Sequence, residues 1–125
     1  MDDPDPAERR RKLLRFLRFY LSEQHCEAPA DGCLIPALSS DVARASDAIR
    51  ATYDRRVVAV IAKAIPAMPG PPEAQAEHAW AVMATIVGAM TIARALPPGD
   101  HRRTILDAAH RAAVDIIDRD EVPTT

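Results

Sequence analysis

The stretch "AWAVMATIVGAMTIARA" (residues 79–95) carries a single charge, Arg94, and shows no period-two alternation anywhere along it. Trp80, Met83, Val87 and Met90 recur at steps of three or four, and Val82, Ile86 and Ala93 form a second apolar line. That spacing describes a helix with two faces to bury. Between those lines runs a strip of small residues: Ala81, Ala84 or Thr85, Gly88, Thr91 and Ala95. Gly88 costs the helix about 1 kcal/mol relative to alanine, and close approach of another helix is one reason to carry it. The uncharged run 79–93 is too short and too rich in small residues to span a bilayer comfortably. It reads as a core helix.

Working outward, Pro97 and Pro98 close this helix, and Gly99–Asp100 caps another over 101–118. There Ile105, Ala109, Ala112 and Ile116 lie on one line, and Leu106, Ala113 and Ile117 on a second. Upstream, Pro66 and "PGPP" (residues 69–72) separate the helix over 73–95 from one that Ser46 caps. In that third helix Ile49, Tyr53, Val57, Ile61 and Ala64 make a single apolar line. "GCLIPALSSDVARA" (residues 32–45) predicts a short helix over 35–45, with Pro36 in its first turn. A first helix over 7–23 carries Leu13, Leu17, Tyr20 and Leu21 inward and Arg11, Arg15 and Arg18 outward. The sequence therefore predicts an all-α fold: five helices in one domain over 7–118, between frayed ends at 1–6 and 119–125.

A chain of 125 residues is long enough for one self-sufficient core. Its apolar mass is mostly alanine and short aliphatics, with five aromatic residues; alanine loses no side-chain entropy in a helix, which favours closely packed helices. A net charge of −2 is not that of a dedicated nucleic-acid surface. The basic run Arg9–Lys12 lacks interleaved aromatics and reads as a solvated face. The acidic start, without an apolar run before a cleavage site, predicts no signal peptide and a cytosolic chain whose two cysteines are free thiols.

The helices over 73–95 and 101–118 have more apolar faces than a monomer of this size can hide. The simplest solution is a symmetric homodimer in which these two helices of each subunit form a four-helix bundle. The expected interface is Ala81, Thr85, Gly88, Thr91, Ile105, Ala109, Ala112 and Ile116. The bland alternative keeps both helices at the centre of a monomeric bundle.

"HCEAPADGC" (residues 25–33) holds both cysteines and one of the four histidines. His25, Cys26 and Cys33, with Glu27 or Asp31, supply donor atoms, but the Cys-x6-Cys spacing matches no short zinc knuckle and no second pair follows. A turn is the favoured reading, with no metal site, ahead of a redox pair. The serines at 22, 39, 40 and 46 fit helix ends, where capping explains them. The steps Asp107–Arg111–Asp115–Arg119 read as an exposed ion-pair ladder. Phe16, Tyr20, Tyr53, Trp80, Met83 and Val87 come from three helices, and their convergence would line an apolar ligand cavity. The alternative is that they only fill the core.

At "YLSEQHCEAPADGCLIPALSSDVARA" (residues 20–45) the chain resembles the ligand-sensing C-terminal domain of TetR-family bacterial transcriptional regulators. The likeness rests on Tyr20, Leu21, Ser22, His25, Pro29, Gly32, Cys33, Ala37, Leu38 and Asp41. It extends more loosely over residues 8–118. The resemblance implies an all-helical domain that dimerises through its last two helices and encloses an effector cavity. Family members carry a helix-turn-helix ahead of this domain, and residues 1–7 are too few to form one. Cys26 also stands where the family pattern leads one to expect a polar or basic residue.

The expectation is therefore an effector-binding and dimerisation domain, not an enzyme: a cytosolic homodimer taking a small, largely apolar effector. It requires no cofactor and no metal, associates with no membrane, and does not bind DNA specifically through this chain alone. Two alternatives stay open. One is a headless module that dimerises with a full-length regulator and blocks it; the other is a thiol switch at Cys26 and Cys33.

Overall fold

A computed structural model describes residues 5–27 and 41–119. The described residues form no strand, and five helices are bounded among them. These are α1 (Pro6–Tyr20), α2 (Glu23–Glu27), α3 (Asp47–Ala64), α4 (Pro72–Ala95) and α5 (Asp100–Ile117), with a 3-10 turn at Ile65–Ala67. The fold is all-α. The set of helices differs from the expected one in two places.

The first helix stops at Tyr20, three residues before the expected end at 23. Ser22 is the reason: its hydroxyl donates to the Phe19 carbonyl and accepts from the His25 N–H, closing one helix and opening the next. The result is α2, a single five-residue turn. The helix expected over 35–45 falls mostly outside the described residues. Asp41 and Val42 are helical, and 43–45 are turn and bend.

At the other boundaries, local chemistry agrees with the sequence to within a residue or two. Asp5 caps α1 by accepting from the Ala7 N–H, with Pro6 in the first turn, so the helix begins inside the stretch expected to fray. Ser46 caps α3 through the Ile49 N–H. Gly70, at φ +93°, reverses the chain before α4; a Cβ there would stand 3.2 Å from that of Ala74. Gln75 and His78 donate back to the Met68 and Pro69 carbonyls and pin the turn to α4.

The short link 96–99 makes α4 and α5 an antiparallel pair, in contact along their lengths. α1 packs on α5, α3 on α4, and α2 on α4. The core runs between them: Leu13 and Leu17 from α1, Val82, Ile86 and Met90 from α4, Leu106, Ala113 and Ile117 from α5. At one end Arg9 donates to the Pro66 carbonyl and Arg10 pairs with Asp118, tying the start of α1 to the end of α5. At the opposite end, buried Arg102 donates to the Ala93 and Leu96 carbonyls and to Glu27. That side chain adds a donor to the Leu96 carbonyl and a second one to the Ala93 carbonyl, which also accepts from the Leu96 N–H, and it binds α2 to the end of α4.

α4 begins one residue before its expected range of 73–95. At 24 residues it is long and apolar enough to cross a membrane by length and hydropathy. A core helix passes the same test, and six α4 residues are buried in this fold.

Candidate functional site

An apolar groove of about 250 Å³ lies between α1, α3 and α4. α1 contributes Leu13, Phe16 and Leu17, which fall at steps of three and four and so share a face. The last turns of α3 supply Val60, Ile61 and Ala64, with Lys63 at the rim. The floor is the first half of α4, where Ala79, Val82, Met83 and Ile86 repeat the same spacing. The small side chains Ala64 and Ala79 leave the space. Phe16 and Val60 remain partly exposed, at 42% and 47%.

Of the six residues expected to converge, two do so here: Phe16 and Met83. Tyr53 and Trp80 line a different cleft, about 340 Å³, beside the N-terminal half of α3, together with Arg50, Asp54 and Val57. Tyr20 is buried in the core, its ring 4.7 Å from that of His25 and 5.6 Å from that of Phe16. Val87 is half-buried and packs on the core. The expected single cavity is thus distributed over two clefts and a core cluster.

The residues missed by sequence reasoning were visible as core stripes. Leu13, Leu17, Ile61, Val82 and Ile86 have the same helical spacing whether they face a neighbour or a space. Lys63 reads in sequence as a cation suited to the last turn of a helix, and only the fold puts it beside the groove.

His25 and Cys26 are both buried on α2. His25 Nδ1 donates to the Tyr20 carbonyl at 2.8 Å, and the ring lies between Phe19 and Tyr20. Arg94 reaches the His25 and Cys26 carbonyls. These contacts use the histidine to hold the α1–α2 corner. Among the described residues no group of three or more His, Cys, Asp or Glu side chains is placed to hold a metal ion. Asp31 and Cys33 lie outside the described residues, as do Pro29, Gly32, Ala37 and Leu38.

Few of the expected dimer residues are fully exposed, and Ile105 and Ile116 pack against the core. Thr91 and Ala112 are exposed, and Ala81, Thr85, Gly88, Ile105 and Ile116 are half-buried. Ala109 differs, being buried in the core. Apart from the neighbouring residues and backbone of its own helix, no atom of the described residues lies within 4 Å of where a Gly88 Cβ would stand. Thr85 and Thr91 turn their hydroxyls back onto the Ala81 and Val87 carbonyls, both at 2.8 Å, so the polar atoms of this strip are satisfied within the helix. Ile92, 51% exposed, adds a large apolar side chain to α4 that the sequence reading did not select. The expected ladder Asp107–Arg111–Asp115–Arg119 is a correction. All four are exposed, and no ion pair joins them. Hydration and side-chain entropy outweigh pairing at such positions.

No protein-family model, curated protein or solved structure matches this chain.

Proposed function

We propose that this chain is an effector-binding and dimerisation domain of the kind found in TetR-like transcriptional regulators. One observation carries the reading: α4 serves two surfaces at once. Ala79, Val82, Met83 and Ile86 floor the apolar groove, while Ala81, Thr85 and Gly88 belong to the small-residue strip on the same helix. A ligand that changes how α1 and α3 sit on α4 is thereby coupled to the surface where a second copy would pack.

In this reading the partner is a second copy of the chain, joined through α4 and α5 as a four-helix bundle. The effector is small and largely apolar, in keeping with a groove that has one charged residue on its lining. The mechanism is a shift between two dimer geometries that bind the effector with different affinity. No catalytic step, metal or cofactor is assigned. The assignment places the domain in the cytosol and off the membrane, with α4 covered by its own fold and by the partner. With a net charge of −2, the chain has no basic excess suited to gripping DNA by itself.

Native mass spectrometry tests both parts together. A dimer at micromolar concentration, with an apolar small molecule retained or readily added, is the expected result. A monomer under those conditions overturns the reading.

A further inference from the structure

Among the described residues, Lys63 is the only polar one on the lining of the α1–α3–α4 groove, and no carboxylate lines it. Its ammonium makes no hydrogen bond or ion pair with any described residue. Other basic side chains among the described residues, Arg111 and Arg119 included, also make no ion pair, but Lys63 is the one that lines the groove. An uncommitted cation therefore stands at the lip of an apolar channel. The space, about 250 Å³, is below the range of roughly 300–1,000 Å³ that holds drug-sized ligands. It suits one narrow chain better than a fused ring system. Phe16 and Val60 leave apolar surface at the mouth that such a chain would cover. Met83, with its three rotatable bonds, adapts the wall to chain length.

We propose that this groove takes a free alkyl carboxylate of medium length. Its tail lies along Leu13, Phe16, Val82 and Met83, and its head group pairs with Lys63. The assignment rests on the reading of this chain as an effector-binding domain and names the class of effector. A neutral chain would gain the same apolar contacts but nothing from the ammonium. A cationic amphiphile would be repelled by it. The discriminating element is thus a single side chain.

Titration calorimetry on the full chain tests this with decanoate and decyltrimethylammonium below their micelle-forming concentrations and decanol below its solubility limit. Decanoate should bind about three- to tenfold more tightly than decanol, the gain expected of a charge-assisted contact at a partly solvated rim. The ammonium should bind most weakly. Lys63→Gln should erase the preference for decanoate over decanol, Lys63→Arg should keep it, and Lys63→Glu should transfer it to the cation. Ala64→Phe, which fills the groove, should abolish binding of all three while circular dichroism shows the helices intact.

Equal binding of decanoate and decanol, unmoved by Lys63→Gln, overturns the carboxylate assignment and leaves the effector-domain reading standing. Binding that survives Ala64→Phe overturns the groove as its place. Phosphatidylglycerol vesicles that capture the chain as tightly as free decanoate does would overturn the choice of a free carboxylate over a lipid surface. A dimer that binds none of the probes overturns this inference alone. A monomer that binds none overturns the proposed function with it.

Discussion

α3 and α5 are each 18 residues long, yet α3 buries two residues, Val57 and Ile61, while α5 buries five. The difference lies in how each sequence distributes its apolar side chains. In α5, Leu106, Ala109, Ala113 and Ile117 repeat on one face, with the charged residues largely on the other. In α3 the apolar residues spread around the cylinder, and Ile49, Val58 and Val60 stay about half exposed. α5 also gains an anchor in Arg102, which holds its first turn to the end of α4. The pair α4–α5 is the scaffold. α3 rests on it mainly through Val57 and Ile61 and walls both clefts, and in the proposed reading it is the element that an effector would reseat.

The largest expected break in this comparison comes from truncating each region in turn. Met90→Ala removes a fully buried side chain from α4 and should cost about 2–5 kcal/mol in urea unfolding. Ile49→Ala on α3 should change stability by no more than about 0.5 kcal/mol, because that side chain is already half in water. Native-state hydrogen exchange should rank the helices in the same order, with α3 amides opening well before those of α4 and α5. Equal costs for the two substitutions, or equal protection of the helices, would remove the distinction between scaffold and movable wall.

Arg102→Met is the next test, smaller in effect. It keeps most of the buried stem and removes the guanidinium, leaving the Ala93 and Leu96 carbonyls without that donor. A loss of about 1–3 kcal/mol is expected. Glu27→Gln should cost far less, because its carboxylate is more than half exposed and water replaces the ion pair. If both substitutions cost the same, the salt bridge and not the carbonyl capping holds α2 and α5 to the end of α4.

The scaffold was the most legible part of the sequence. Prolines and glycines punctuate it, Ser46 announces α3, and the strong periodicity of 79–118 leaves little choice but two long helices. Ser22 was legible as a helix-end residue, but the expected helix ran on to 23, and nothing in the sequence showed that the hydroxyl's double hydrogen bond opens a second short helix there. The candidate site was harder still. Tyr53 and Trp80 looked like pocket residues because aromatics with polar tips suit ligands, but residue type carries no information on which clefts three helices leave between them. Apart from Phe16 and Met83, the groove is lined by residues that the sequence reading did not select as a site, Lys63 among them. Periodicity gives the face of a helix. What that face meets depends on how the helices dock, and in α3 the expected line from Ile49 to Ala64 is buried only at Val57 and Ile61, so it does not fix the docking along its length.

Gly88→Ala has the smallest expected effect on folding and the most informative sign. In the isolated chain the new Cβ would meet nothing within 4 Å among the described residues beyond the neighbouring residues and backbone of its own helix. Alanine should then stabilise α4 by about 0.8–1 kcal/mol through helix propensity alone. If a second copy packs closely on this strip, the same methyl group intrudes on the approaching helix, and overpacking of that kind costs about 1–3 kcal/mol. The two contributions separate by concentration. Urea unfolding at dilute, monomeric concentrations should show the gain, while sedimentation equilibrium should show weaker association. A variant that is more stable and dimerises as tightly as the parent would mean that no helix comes close at Gly88. The open strip on α4 would then be only the solvent side of a scaffold.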